Sequence, residues 1–128
     1  MDKKEALEFI KKNKLCVLAT CSENKPEAAT MSYVTDGEVF YFGTSPNSRK
    51  ASNIRKNKNV AIVVGVSKNQ PSIQINGEAE RITDEKEKEK HKNLIKEKSP
   101  EYLKYFEDPN IFTFKVKPIE FWYEGKRL

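Results

Sequence analysis

The sequence predicts a mainly β protein: an antiparallel β-barrel, closed or split, with about six to seven strands and short flanking helices. This prediction depends on three features. Short stretches rich in Val, Ile, Phe and Tyr are separated by turn residues. Few helical patterns interrupt them, and closure into a barrel removes the exposed edges of such strands. The chain contains neither a G-x-G-x-x-G nor a P-loop pattern, which disfavours a doubly wound dinucleotide-binding fold.

Length and composition predict one globular domain over residues 1–128. The chain has 128 residues, of which 37% are hydrophobic and 34% are charged. The longest apolar run, residues 60–66, is too short to span a bilayer, and the charged N-terminus is unlike a signal peptide, so we expect a cytoplasmic protein without a membrane partner. The 24 Lys and Arg residues are interleaved with 19 Asp and Glu residues, which predicts solvated faces and no nucleic-acid partner.

The first half of the chain predicts one helix and three strands. Asp2 is placed to cap an amphipathic helix that ends near residue 13. Residues 15–20 and 27–35 form the first two strands, joined by turn residues into a hairpin. Asp36-Gly37 is the strongest hairpin signal in the sequence and leads into a third strand over residues 38–42.

The second half predicts four further strands and two helical regions. Ser48 is placed to cap a short helix that buries Ala51 and Ile54. The long strand contains Gly77, where we expect a bulge or a sharp bend. The strands cover residues 60–66, 72–82, 111–116 and 119–123, and the helices cover residues 48–57 and 84–106, with a break at Ser99-Pro100.

The cysteines and the histidine do not form a recognisable catalytic or metal-binding pattern. Cys16 and Cys21 are five residues apart, which fits no metal-ligand spacing, so we expect a buried small side chain and a turn residue. His91 lies in a highly charged run that predicts an exposed helix. We therefore expect no Ser-His-Asp or Cys-His device, no zinc site and no catalytic protein nucleophile.

The segment that follows Tyr41-Phe42 predicts a phosphate site. Residues 43–47 are small or hydroxylic and lead into Ser48-Arg49-Lys50 at the start of a helix. Backbone N–H groups and the helix dipole favour an anion there, and two cations at a helix N-terminus are unfavourable without one. The alternative is that Arg49 and Lys50 are simply exposed residues.

A single indole in the C-terminal strand suggests an aromatic wall for the same ligand. Trp122 lies within residues 119–125, about seventy residues beyond the phosphate loop. Together the two features suggest a phosphorylated, planar molecule. The alternative is that Trp122 packs in the core or in a dimer interface.

The chain resembles the pyridoxamine 5′-phosphate oxidase-like family of FMN-binding split barrels, as a small general-stress-type member. The resemblance covers nearly the whole chain and depends on the order and spacing of several segments. They are Val17-Leu18-Ala19-Thr20, Asp36-Gly37 with Val39-Phe40-Tyr41-Phe42, Ser48-Arg49-Lys50 with Asn53-Ile54, Gly77-Glu78-Ala79-Glu80-Arg81, and Ile119-Glu120-Phe121-Trp122.

The resemblance implies a homodimer with FMN bound between the two barrels. Arg49 and Lys50 would hold the FMN phosphate, with hydroxyl groups nearby, and the second strand would run beside the isoalloxazine ring. Trp122 would come from the second subunit. The family's glutamine in the long strand falls on Ser72, while Gln74 lies two residues later on the same face, so either residue is a candidate. The implied cofactor-binding residues are Ala29, Thr30, Met31, Ser32, Phe42, Thr44, Ser48, Arg49, Lys50, Ser72, Gln74 and Trp122.

Two departures from the family pattern favour an FMN oxidoreductase of unassigned substrate over a vitamin B6 oxidase. The family's oxidases continue through a basic, histidine-containing segment beyond the equivalent of Leu128, and their second strand carries Arg and Lys where this chain has Glu27, Ala28 and Thr30. The expected partners are a small-molecule substrate and an electron donor such as NAD(P)H. Alternatives are a non-catalytic flavin or heme module that senses redox state, and a deazaflavin-dependent reductase.

Overall fold

A single antiparallel sheet organises the chain in the computed structural model, which describes residues 1–128. The strands are β1 (Leu15–Ser22), β2 (Lys25–Ser32), β3 (Val34–Asp36), β4 (Val39–Thr44), β5 (Asn59–Val64), β6 (Ile73–Arg81), β7 (Phe112–Tyr123) and β8 (Lys126–Arg127). The helices are α1 (Lys3–Lys12), α2 (Arg49–Lys56), α3 (Glu85–Lys98) and a 3₁₀ helix (Pro100–Glu107).

The sheet curls into a half-barrel with the strand order β2-β1-β5-β6-β7-β4-β3, and β8 pairs with β7. Every pair of neighbouring strands is antiparallel. The predicted mainly β, antiparallel fold with short flanking helices is therefore confirmed. No helix is both long enough and apolar enough to cross a membrane.

Alternate residues of the strands fill the concave side of the sheet. Four phenylalanines, Phe40, Phe42, Phe112 and Phe114, are at most 1% exposed, and the rings of Phe42 and Phe114 stack with centroids 5.1 Å apart. Cys16 is buried, as predicted, but Cys21 lies within β1 and not in the following turn. This core fixes which face of each strand points outward.

The predicted second strand is interrupted at Tyr33, so residues 27–35 form two strands and not one. The strand β2 pairs with β1, whereas β3 pairs with β4. Tyr33 is 3% exposed, and its hydroxyl donates a hydrogen bond to the backbone carbonyl of Ile10 in α1. Because this buried contact draws the chain inward, the strand cannot run straight through residue 33.

The two predicted C-terminal strands are a single strand, β7, which continues through Lys117-Pro118. Proline lacks the N–H that a regular ladder needs, and the pairing with β6 shifts register at this point. Asn76 faces Glu120 while Gly77 faces Pro118, which leaves Ile119 without an opposite residue. The predicted irregularity at Gly77 is confirmed, and it lets the strand accommodate Pro118.

The helices begin where their capping residues predict, but one helical prediction was wrong. Asp2 and Glu5 form a capping box at α1, and Ser48 caps α2. The predicted break at Ser99-Pro100 and the second helix after it are confirmed, and that helix is of the 3₁₀ type. His91 was expected on an exposed helix, yet it is only 2% exposed, because α3 turns one face against β3 and β4.

Candidate functional site

The half-barrel leaves an open seam between two strand edges. The strand order ends at β2 on one side and at β3 on the other. Because β3 pairs only with residues 39–41, the edge of β4 from Phe42 to Thr44 has no partner strand. Ser32, the last residue of β2, and Gly43 on β4 line the same cavity, so the two edges approach each other at this end of β2. Unpaired backbone N–H and C=O groups are available to hydrogen-bond a ligand.

The loop between β4 and α2 places two hydroxyl groups at a helix N-terminus. Thr44 Oγ1 donates to Ser48 Oγ at 3.2 Å, and Ser48 Oγ accepts a hydrogen bond from the Ala51 N–H at 3.2 Å. The first turn of α2 contains no acidic residue and begins with Arg49 and Lys50. Because the helix dipole and both side chains are positive at this point, the loop is electrostatically suited to an anion.

A polar network that the sequence analysis missed lies behind Arg49. The Arg49 guanidinium forms an ion pair with Glu27 Oε2, although the arginine side chain is 83% exposed. Glu27 Oε1 accepts from Asn53 Nδ2 at 3.0 Å, and the same amide nitrogen lies 2.9 Å from Thr20 Oγ1. The register of the first hairpin places Thr20 opposite Glu27. The position of the turn in the sequence could therefore have predicted that these two residues are neighbours.

The outward face of the sheet brings further predicted residues into one row. Thr30, Val17, Val63, Gln74 and Trp122 are successive cross-strand partners on β2, β1, β5, β6 and β7. Four strand spacings of about 4.8 Å separate the ends of this row by about 19 Å. Within one chain, therefore, Trp122 does not meet the residues of β2.

The remaining predicted site residues divide between the core and the surface. Ala29 is paired with Leu18, and Met31 is 8% exposed within the core cluster. The Phe42 side chain is fully buried against Phe114, so only its backbone faces the seam. Ser72 and Gln74 are exposed and line one open depression near Tyr123.

The buried thiol and the buried imidazole are both uncharged near pH 7, whereas burial lowers the pKa of Lys98 to about 8 and leaves its Nζ without a hydrogen-bond partner beside the Tyr33 ring. Burial raises the pKa of the Cys16 thiol to about 12, so it stays protonated. Burial lowers the pKa of His91 to about 4. Near Trp122, hydrogen bonds from Asn76 and then from Trp122 lower the pKa of Glu120. No group of three or more His, Cys, Asp or Glu side chains is arranged to hold a metal ion.

Comparison with known proteins agrees with this architecture. General stress protein 26 of Bacillus subtilis (strain 168) is 26% identical over 119 residues, which are 91% of this chain and 83% of that protein. The crystal structure of General Stress Protein 26 from Bacillus anthracis str. Sterne superposes with a TM-score of 0.78 at 28% identity, covering 100% of this chain and 98% of that chain.

Two more distant structures share the fold. The heme storage protein HutZ from Vibrio cholerae has a TM-score of 0.82 at 18% identity, covering 94% of this chain and 93% of that chain. A FAD-binding protein from Mesorhizobium loti has a TM-score of 0.77 at 15% identity, covering 94% and 92%. The family model described as pyridoxamine 5′-phosphate oxidase matches residues 2–123. The chain belongs to the pyridoxamine 5′-phosphate oxidase family.

Proposed function

We propose that this protein binds FMN between two copies of the chain and acts as an FMN-dependent oxidoreductase. The observation that carries the proposal is the pair Arg49 and Lys50 at the start of α2, beside the hydroxyls of Thr44 and Ser48 and the open seam. A phosphate group at this position would neutralise Lys50, which the helix dipole otherwise disfavours, and would compete with Glu27 for Arg49.

At the phosphate end, the chain can supply charge-assisted hydrogen bonds. Each such bond contributes about 1.5–3 kcal/mol. The Arg49 side chain is mostly exposed and can turn from Glu27 to a phosphate oxygen without disturbing buried structure. The unpaired edge of β2, from Ala29 to Ser32, would then run beside the planar ring and offer it backbone hydrogen bonds.

The distance between Trp122 and β2 supports a site that is completed by a second copy. About 19 Å separates the two ends of the outward row, so Trp122 of a second copy would have to approach β2. The outward residues between them are mostly apolar or small, namely Leu15, Val17, Ala19, Ala61, Val63 and Ile119, and Leu15 and Ile119 are 54% and 60% exposed. Covering this face in a homodimer would remove apolar surface from water.

When bound, FMN supplies hydride and electron transfer, and the chain's residues bind and orient it. Such a role for the chain needs no catalytic side chain, in agreement with a thiol that stays protonated and a histidine that is neutral near pH 7. Thr30 and Ser32 of one copy, and Ser72 or Gln74 beside Trp122 of the second copy, are the side chains that we propose for hydrogen bonds to the ring. The substrate is a small molecule of unassigned structure, with an electron donor such as NAD(P)H.

The structurally similar proteins support flavin binding in general and not FMN in particular, because one of them is a FAD-binding protein. Another is described as a heme storage protein. Heme is less well supported here, since its iron commonly takes a histidine ligand and the single histidine is 2% exposed. Mass spectrometry of the small molecule released on denaturation would separate FMN, FAD, heme and deazaflavin.

The charge-reversal variant Arg49→Glu with Lys50→Glu tests the phosphate site directly. We expect it to lose FMN retention, measured by absorbance in the flavin bands, while its melting temperature stays close to that of the wild type. The matched control is Lys56→Glu with Lys68→Glu, which changes net charge equally at two exposed positions. Retention of FMN by the Arg49/Lys50 variant would contradict the proposed phosphate site.

Turnover distinguishes an enzyme from a binding module. FMN-loaded protein that oxidises NADH or NADPH in the presence of an acceptor would support the oxidoreductase. Bound flavin without turnover across several donors and acceptors would instead support a non-catalytic flavin module. Protein that takes up no flavin at all would contradict both.

A further inference from the structure

Two arginines from different elements pack on the ring of Phe112. The guanidinium carbon of Arg55, in the last turn of α2, lies 4.8 Å from the ring centroid, and that of Arg81, at the end of β6, lies 5.2 Å from it. Because both distances are measured to the same point, the two guanidinium carbons are at most about 10 Å apart. Phe112 is 1% exposed, so its ring offers both groups a fixed surface.

Neither guanidinium has a partner of opposite charge. Arg55 and Arg81 form no ion pair and donate no side-chain hydrogen bond within the chain. The acidic residues that precede Arg81 on β6 are Glu78 and Glu80, and both form ion pairs with lysines. A guanidinium has several N–H donors in a planar fork, so the donors of both side chains are free.

The positive charge of this pair is only partly compensated. Arg55 lies at the C-terminal end of α2, where the helix dipole contributes about half a negative charge. Arg81 ends a strand and lacks such compensation. Two like charges at this separation repel each other, and an anion between them removes the repulsion. The pair is therefore electrostatically suited to an anion.

The two forks also indicate the class of anion. Contact with an aromatic ring occupies one side of a guanidinium and leaves N–H donors free for a second partner. A carboxylate has two oxygens, and a single arginine fork satisfies both of them. A phosphomonoester has three terminal oxygens and about 1.5 to 2 negative charges near pH 7, so it can accept hydrogen bonds from both forks and balance both cations.

The pair lies at the opposite end of α2 from the loop that we propose for the FMN phosphate. Arg55 follows Arg49 by six positions, which corresponds to about 9 Å along the helix axis. A single phosphate group is too small to contact both ends of the helix. Phe112 pairs with Thr44 on β4, so the arginine pair nevertheless borders the connection between β4 and α2.

We propose that Arg55 and Arg81 form a second anion site, which binds the phosphate group of a phosphorylated small molecule and is distinct from the FMN phosphate site. Both cations and the ring between them belong to one chain, so the site does not require a second copy. It does not require flavin either, because neither arginine is among the residues proposed for FMN.

The test is a titration of the isotopically labelled, full-length protein with inorganic phosphate, which replaces chloride at constant ionic strength. We expect saturable shifts of the arginine Nε–H signals of residues 55 and 81 and of the backbone amide of residue 112. Acetate, a carboxylate with one charge, should bind there about tenfold more weakly. Shifts that do not saturate, or equal affinities for phosphate and acetate, would overturn the proposal.

Variants distinguish this pair from general surface charge. Arg55→Gln with Arg81→Gln should abolish the saturable shift of the residue 112 amide. The matched control, Lys56→Gln with Lys68→Gln, removes the same charge at two exposed positions and should retain the shift. Undiminished binding by the arginine variant would overturn the site. If that variant does not fold, Arg55→Lys decides, because it keeps the charge without the fork and should weaken phosphate binding several-fold.

The same titration with FMN-loaded protein separates this site from the FMN proposal. We expect phosphate to shift the residue 112 amide equally with and without FMN, and the Arg55/Arg81 variant to retain FMN. If FMN blocks the shift, or if that variant loses FMN, the pair binds the FMN phosphate and the separate site is overturned. Protein that takes up no flavin would contradict the FMN proposal alone, since the phosphate titration does not depend on it.

Discussion

At the scale of single residues, the most informative contact is the ion pair between Arg49 and Glu27. It places a carboxylate beside the guanidinium that we propose for phosphate binding. Glu27 therefore competes with the phosphate for Arg49, and it also repels a dianion. In the absence of a ligand, the same carboxylate holds Arg49 near the seam.

The variant Glu27→Gln should bind FMN a few-fold more tightly, because a partly exposed charge pair contributes about 0.2–1 kcal/mol. The glutamine oxygen can still accept the hydrogen bond from Asn53, which limits structural change. Riboflavin, which lacks the phosphate, is the control ligand, and its affinity should not change. Fluorescence titrations that show equal tightening for both ligands, or none, would contradict the competition.

Stability should fall in acid because of His91. Its pKa is near 6.5 when unfolded and about 4 in the folded chain, so the unfolded state binds the extra proton first. The full contribution is present above pH 6.5 and is lost as the pH falls to 4, at a cost of about 3 kcal/mol. His91 also lines a depression on the surface of α3, and the charged side chains around this depression are Glu85, Lys88, Lys92, Glu107 and Asp108.

Denaturant unfolding of wild type and His91→Phe at pH 7 and pH 4 measures this contribution. Carboxylates titrate in both proteins and lower both free energies of unfolding. The contribution of His91 is therefore the loss of unfolding free energy from pH 7 to pH 4 in the wild type minus the same loss in the variant. We expect the variant to lose about 3 kcal/mol less than the wild type over this interval. Parallel losses would show that His91 titrates normally.

At the scale of elements, features that depend on neighbouring residues in the sequence were predictable, whereas features that depend on contacts with another element were not. Asp2, Ser48 and Asp36-Gly37 determine caps and a turn through neighbouring residues, and all three were predicted correctly. The break at Tyr33 was not predictable, because it depends on a hydrogen bond to α1. Continuity of β7 through Pro118 depends on a register shift opposite β6, which the strand's own sequence does not reveal.

The same distinction applies to the site and to α3. The cations Arg49 and Lys50 follow directly from the loop sequence, whereas Asn53 meets Glu27 only because α2 crosses β1 and β2. In α3, frequent Lys and Glu residues obscured the buried face that contains His91 and Ile95. Sequence alone therefore predicted the charges of the site but not the network that positions them.

The irregularity at Gly77 predicts a specific stability cost. A Cβ at this position would lie 2.7 Å from the carbonyl oxygen of Lys117 and 2.8 Å from a Val116 methyl group. Because backbone cannot move aside as easily as a side-chain tip, Gly77→Ala should destabilise the fold by about 1–3 kcal/mol. Gln74→Ala, exposed on the same strand, should change stability by less than about 0.5 kcal/mol. Equal unfolding midpoints for the two variants would contradict this account.

At the scale of the whole molecule, the outward face of the sheet is an apolar surface that no other part of the chain covers. The concave side contains the core cluster, which runs from α1 to β7. The convex side presents a row from Thr30 to Trp122 whose ends are too far apart for one small ligand. A face-to-face homodimer would explain both the apolar surface and the divided site.

The variant Val63→Lys should weaken this homodimer, because it introduces a charge in the middle of the row. Light scattering after gel filtration should show monomer, and FMN retention should fall with it. Val66→Lys is the matched control, since Val66 is 75% exposed beyond the end of β5 and should leave both properties unchanged. A wild-type monomer that retains FMN would contradict the interface.

The open seam has a consequence for handling the protein. If FMN and a second copy cover the seam as proposed, protein without them exposes the unpaired edges of β2 and β4, onto which further chains can add as strands. Flavin-free preparations should then become turbid sooner than FMN-loaded ones stored at equal concentration, and added FMN should delay the turbidity.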